Sequence, residues 1–159
     1  MLSLGTDEDM EEVVRKYAPM MLHSAFALLR NTADAEDAVQ DTFLKLIRKR
    51  PNFKDEEHVK AWLLRVTVNK AKDMLRSSAR KCTELAEETV FEYSEDTDLL
   101  NEVLNLPEKY RLVIHLYYYE GYSVKEIASI LNKPPTTVNT RLDRGRKMLR
   151  TSLEGENNE

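Results

Sequence analysis

The sequence predicts an all-α protein of two small helical domains joined by a flexible linker, and three observations carry that prediction. The 159-residue chain holds only four glycines beside many Leu, Ala, Glu, Lys and Arg, so hairpin turns lack their usual material and helix formers dominate. Apolar residues recur at spacings of three and four along both halves of the chain, the period of an amphipathic helix. Between the halves, TELAEETVFEYSEDTD has no sustained apolar period, and Glu84, Glu87, Glu88, Glu92, Glu95, Asp96 and Asp98 meet no cation there. At about 15 residues this stretch exceeds an ordinary helix connection and reads as a linker.

In the N-terminal half, Thr6 with Asp9 makes a capping-box-like start. Met10, Val13, Val14, Tyr17, Met21, Ala25 and Leu28 then form an apolar stripe, and Pro19 is expected to kink or divide this first helix. Asp34 can cap a second helix, whose Val39, Phe43, Leu46 and Ile47 make one apolar face before Pro51 stops it. A third helix runs from about Glu57 to Ser78 with Val59, Trp62, Leu63, Val66 and Met74 inward. Lys60, Arg65, Asn69, Lys72 and Arg76 fall largely elsewhere on its circumference.

The C-terminal half is a tighter set. Leu99, Val103 and Leu104 mark a short helix ended by Pro107, which is suited to open the next, Glu108 to Tyr119. Gly121 stops that helix. Ser123 with Glu126 forms a capping box ahead of Ile127, Ala128, Ile130 and Leu131, and Asn132 to Pro135 breaks the chain. The last helix begins at Thr136 or Thr137, with Val138, Leu142, Met148 and Leu149 inward.

Charge locates function. The whole chain is acidic at a formal −4, yet 60–81 sets seven cations against Asp73 and 133–150 sets six against Asp143. Two short helices joined by a turn of about four residues, the second opening on hydroxyl and amide groups and carrying cations along its length, is the helix-turn-helix pattern. The reason is geometric: a helix fits the major groove, its first turn meets base edges, and later cations meet phosphates. Thr136, Thr137, Asn139 and Thr140 occupy that first turn, and Arg141, Arg144 and Lys147 follow at spacings of three.

These residues resemble a known family. LPEKYRLVIHLYYYEGYSVKEIASILNKPPTTVNTRLDRGRKMLR (106–150) is similar to region four of the extracytoplasmic-function (ECF) sigma factors, a branch of the sigma-70 family. DAEDAVQDTFLKLIRK (34–49) followed by HVKAWLLRVTVNKAKDMLRSSARK (58–81) is similar to region two. Many family members carry Gly where this chain has Asn132 and Thr136, and Lys where it has Asn139. Asn tolerates the left-handed backbone of a turn, so Asn132 is a mild change. Thr136 and Asn139 bear on base readout.

The resemblance implies a region-2-like three-helix bundle at 6–80, an acidic linker at 81–97, and a region-4-like helix-turn-helix domain at 98–153. It implies that the second helix binds the clamp helices of the RNA polymerase β′ subunit through Asp34, Glu36, Asp37, Gln40, Asp41 and Leu44. The third helix would open the promoter −10 element with Lys60, Arg65, Asn69, Lys72, Asp73 and Arg76, the loop PNFKDEE (51–57) receiving a flipped base. Trp62 matches a position used in larger sigmas as a wedge against the duplex, although its spacing fits the core. Region four would grip the −35 element, with Arg141, Arg144 and Lys147 at phosphates and Thr136, Thr137, Asn139 and Thr140 near base edges. Further implied partners are the β flap of polymerase core and an anti-sigma factor that covers these surfaces.

Other function classes have less to stand on. No apolar run approaches the roughly 20 residues of a membrane span, and the acidic N-terminus MLSLGTDEDMEE is unlike a signal peptide, which places the protein in the cytoplasm. The lone Cys82 leaves no internal disulfide or thiolate metal cluster. An enzyme would need a constellation that His23, His58 and His115 do not make. No HExxH, Gly-rich phosphate loop or G-x-S-x-G occurs, so catalytic residues, metal, cofactor and small-molecule substrate are all expected to be absent. His115, between Ile114 and Leu116, reads as a packed or capping histidine. The competing reading is an autonomous helix-turn-helix regulator whose N-terminal half dimerises or senses, which leaves the basic third helix without a role.

Overall fold

The computed structural model describes residues 7–81 and 97–157, and no strand occurs among them. The chain divides into two compact units, Met1–Thr89 and Val90–Glu159. Thr6, Cys82 and nearly all of the acidic stretch lie outside the described residues, and so do the side chains of Ser78 and Leu99.

The first unit holds α1 (Asp7–Leu29), α2 (Thr32–Lys49) and α3 (Glu56–Lys81), each packed on the other two. Met10, Val13, Tyr17 and Met21 of α1 meet Val39 and Leu46 of α2 and Val59 and Leu63 of α3. Phe53, from the loop between α2 and α3, is fully buried among them. Its ring lies edge-on to Trp62 at 5.9 Å and to His58 at 5.2 Å. Trp62 is half-buried against this core, the environment its spacing suggested. Deeper in the bundle, the Thr42 and Thr67 hydroxyls lie 3.1 Å apart, within reach of Ala38 O and Leu63 O respectively; with one proton each, one hydroxyl donates across to the other, which donates to the carbonyl of its own helix. Buried hydroxyls need such partners, and this pair fastens α2 to α3.

Several local expectations are corrected here. α1 runs undivided through Pro19, which sits exposed. A proline inside a helix removes one backbone bond and costs about 3 kcal/mol, but Tyr17 and Met21 on the adjoining turns are buried and hold the helix to the core. The N-cap of α2 is Asn31 rather than Asp34: its Oδ1 accepts from Asp34 N at 3.0 Å. Arg50 ends α2 in the left-handed conformation (φ 41°), its N–H on Leu46 O, ahead of Pro51. Val14 and Ile47 were expected inward and are instead exposed, Ile47 by 49%. Val66 and Met74 are half-buried, while Leu64, Val68 and Ala71 are buried because α3 touches both of its neighbours.

The second unit holds α4 (Thr97–Leu104), α5 (Glu108–Ile114), a π-helical turn (His115–Tyr119), α6 (Val124–Leu131) and α7 (Pro135–Asn157). Arg111 is buried and donates through Nη1 to Leu104 O and Leu106 O, both at 3.2 Å, so it satisfies carbonyls left open where α4 ends. Pro107 is the N-cap of α5. The continuous helix expected to Tyr119 widens at His115, where Glu120 N bonds back to His115 O. The wider turn keeps His115 and Leu116 buried while Tyr118 reaches the surface. His115 is packed as expected, stacked on Tyr119 at 5.6 Å with Nε2 3.2 Å from Glu120 Oε1. Gly121 follows with φ 74°, a conformation that favours glycine.

α7 packs on α5, α6 and α4 through Val138 and Leu142. At Gly145 the approach is close: a Cβ there would stand 3.0 Å from Ile114 Cγ1 and 3.2 Å from its Cδ1. Met148, expected inward, is 39% exposed one turn beyond this contact.

Phe53→Ala should destabilise the first unit by about 3–5 kcal/mol in chemical denaturation, because the loop ring that fills the bundle has no substitute. Gly145→Val should destabilise the second unit by about 1–3 kcal/mol, since the new methyls meet a buried Ile114. A gain in stability on Gly145→Val would show that helix propensity outweighs that contact.

Candidate nucleic-acid interface

α6, its turn and the start of α7 make a helix-turn-helix whose ends are fixed by hydrogen bonds. Ser123 Oγ accepts from Glu126 N at 3.1 Å and Glu126 Oε1 accepts from Ser123 N at 3.3 Å, so both halves of the capping box are made. α6 closes on Asn132 in the left-handed conformation (φ 54°, ψ 49°), with Lys133 N on Ala128 O at 3.0 Å. Asparagine fills the turn role expected of it. Pro135 is the first residue of α7, where its missing N–H costs nothing.

The first two turns of α7 gather most of the predicted −35 residues. Thr136, Thr137, Thr140, Arg141 and Arg144 line one cleft of about 220 Å³ together with Lys109 and Tyr110 from α5. Two arginines, a lysine and hydroxyl groups around one opening suit an anion such as a phosphate. The Thr140 hydroxyl donates to Thr136 O at 2.9 Å. Asn139 is exposed but does not line this cleft, and Lys147 lines a different one of about 380 Å³ with Glu102, Leu106 and Met148.

Arg146 belongs to the basic stretch but is occupied. Nε donates to the Tyr118 hydroxyl at 2.7 Å, Nη1 donates to Asp143 Oδ1 at 3.1 Å, and the guanidinium lies 5.5 Å from the Tyr117 ring centre and 5.6 Å from that of Tyr118. The bound Tyr118 hydroxyl holds its pKa above the usual guanidinium value. Arg146 thus joins α7 to the π-helical turn.

In the first unit, Asp37, Gln40, Asp41 and Leu44 recur at spacings of three and four and are exposed on the side of α2 opposite Ala35, Ala38 and Leu46. Glu36 is exposed at the edge of this face, and Asp34 is half-buried at the helix start. Ile47 extends the face, so two apolar side chains, Leu44 at 47% and Ile47 at 49% exposure, stand beside acids. Asp41 is paired with Lys70 of α3 at 2.9 Å.

On α3, Arg65, Asn69, Lys72, Asp73 and Arg76 share one arc; Arg65, Asn69, Asp73 and Arg76 are exposed and Lys72 is half-buried. Lys60, five positions before Arg65, is half-buried and falls off that arc. Asp73 and Arg76 approach to 3.6 Å, an exposed pair of little energetic weight. The loop ahead of α3 is organised by its own bonds: Lys54 N donates to His58 Nδ1 at 3.1 Å and His58 N to Asp55 Oδ1 at 2.8 Å. Among the described residues, no three His, Cys, Asp or Glu side chains gather as metal ligands.

Lys109, Tyr110 and Tyr118 escaped the sequence reading. Nothing in a single helical period links residues near position 110 to others thirty positions later; Gly145, which lets the two helices approach, was the one available signal.

Comparison with known proteins agrees with this architecture. The family model of sigma-70 region 2 matches residues 13–81, and that of sigma-70 region 4 matches 97–149. RNA polymerase sigma factor SigV of Bacillus subtilis (strain 168) is 32% identical over 139 residues, covering 83% of each chain. ECF RNA polymerase sigma factor SigW of the same organism is 29% identical over 170 residues, covering 94% of this chain and 91% of that one. Among solved structures, the sigma factor RpoE in complex with the anti-sigma factor NepR from Bartonella quintana superposes with a TM-score of 0.78 at 24% identity, over 92% of this chain and 98% of that one. CnrH in complex with the cytosolic domain of CnrY gives 0.73 at 25% identity, over 95% and 91%. With both regions matched in order and a relative similar across most of its length, this chain belongs to the sigma-70 family of RNA polymerase sigma factors, in the ECF subgroup.

Proposed function

We propose that this chain binds RNA polymerase core, recognises a promoter at two places and opens it, with polymerase supplying all of the chemistry. The observation that carries the reading is the group Thr136, Thr137, Thr140, Arg141 and Arg144, gathered around one cleft at the start of a helix that a capped turn presents, with Thr136, Thr140 and Arg144 exposed and Thr137 and Arg141 half-buried. In a major groove such a turn meets base edges while the arginines reach phosphates. Asn139 and Lys147 act from the flanks of the same helix.

The α2 face is the proposed polymerase contact. Leu44 and Ile47 supply an apolar centre, and Glu36, Asp37, Gln40 and Asp41, with Asp34 at the helix start, supply an acidic and amide rim. That combination suits the basic clamp helices of β′, with the β flap engaging the second unit. On α3, Arg65, Asn69, Lys72, Asp73 and Arg76, with Lys60 off the arc, serve the −10 element: cations follow the backbone and amides meet unstacked bases. The roles fall on 6–80 and 98–153, with 81–97 as the tether, which raises the effective concentration of each weak DNA contact once polymerase holds the chain. The site of action is the cytoplasm; no described helix is long and apolar enough to cross a membrane. Of the two similar solved structures, RpoE is held by the anti-sigma factor NepR and CnrH by the cytosolic domain of CnrY, and we assign this chain a restraining anti-sigma partner.

Polymerase core with this chain should initiate at a promoter that core alone ignores; failure across a genome-wide transcription screen in vitro would remove the proposal. Arg141→Ala and Arg144→Ala should each weaken promoter binding by holoenzyme and lower its log-log salt slope by about 1, with affinity for core unchanged. Leu44→Glu should do the reverse, reducing affinity for core by about tenfold or more while the thermal midpoint holds.

A further inference from the structure

Tyr110 sits in the first turn of α5, its N–H on Pro107 O at 3.0 Å. Its Cβ lies 3.5 Å from where a Cβ at Gly145 would stand, so the close approach of α5 and α7 delivers this phenol to the flank of α7. There its phenol shares one cleft with the guanidinium of Arg144, and the ammonium of Lys109 lies 5.1 Å from the centre of its ring. Residues 109, 110, 141 and 144 together line the cleft described above. An exposed arginine on a helix is free to sample many rotamers, and a fixed acceptor selects among them. A guanidinium carries five N–H donors, so one directed to the phenol oxygen leaves others for a phosphate or a base edge. From the geometry we propose that Tyr110 is a positioning residue for promoter recognition, which holds the Arg144 guanidinium in its DNA-reading orientation from a neighbouring helix.

The assignment rests on the −35 role of α7 proposed above. The Arg144 guanidinium is the chief cause that holds the Tyr110 phenol below its usual pKa, and so favours an acceptor oxygen there. Lys109 stands over the ring, where a cation adds its own attraction, and its ammonium also lowers the phenol's pKa as a lesser cause than Arg144.

The test is a double-mutant cycle in reconstituted holoenzyme, read as competition between a promoter fragment and the same fragment with a scrambled −35 element. Tyr110→Phe keeps the ring, its packing beside Gly145 and its contact with Lys109, and removes only the hydroxyl. It should lower −35 discrimination about fivefold in the parent chain and leave it unchanged in the Arg144→Ala background, with core affinity and thermal midpoint unaltered. In the Arg141→Ala background the fivefold loss should persist. Equal losses with and without Arg144 would overturn the proposal in favour of a general structural role for the phenol. No loss on Tyr110→Phe while Arg144→Ala is impaired would overturn it and leave the −35 role of α7 standing. Intact discrimination in both Arg141→Ala and Arg144→Ala would overturn that role as well.

Discussion

The constraint on which the structure depends is that each helix has two duties and only one circumference. A unit of three or four helices buries a small core, so every helix must commit a stripe to it and leaves the rest to solvent. α3 commits Val59, Leu63, Leu64, Val68 and Ala71, and its remaining arc carries Arg65, Asn69, Lys72, Asp73 and Arg76. α7 commits Val138, Leu142 and Gly145 and presents Thr136, Thr140, Arg144 and Lys147. Because both kinds of residue share one rigid backbone, the packing of the core stripe sets where each cation points.

That economy explains what could be read from the chain. The all-α class, the capped start of α6, the left-handed Asn132 and the arginines at the start of α7 all follow from local rules about period, caps and turns. What escaped are the edges of the stripes. Val14, Ile47 and Met148 have the helical period yet stay exposed, because period fixes a direction and only the neighbouring helix decides how wide a strip is covered. Pro19 follows the same logic in reverse, a local rule overruled by the burial on either side of it. The π-helical turn and the meeting of Tyr110 with Arg144 in one cleft are tertiary in origin and leave no trace in local spacing.

Charge organisation is likewise more than a count of cations. Arg146 contributes to the basic stretch in the sequence but is bound by Tyr118 and Asp143, and Lys70 contributes to the basic third helix but is paired with Asp41 of α2. The Lys70 pair bridges the proposed polymerase face and the proposed −10 helix. It is half-exposed on both sides, and such pairs are held by well under 1 kcal/mol and weaken in salt. Neither charge is thereby locked away from a stronger partner.

The Thr140 hydroxyl has a narrower chemical vocabulary than its position suggests. Its single proton is committed to the carbonyl of Thr136, so while that bond holds the oxygen can only accept. An acceptor at a base edge matches the exocyclic amino groups of adenine or cytosine, and the side-chain methyl suits the methyl of thymine; the acceptor pair of guanine finds no complement there. At a base edge, a threonine folded back on its own helix would therefore discriminate by what it has given up.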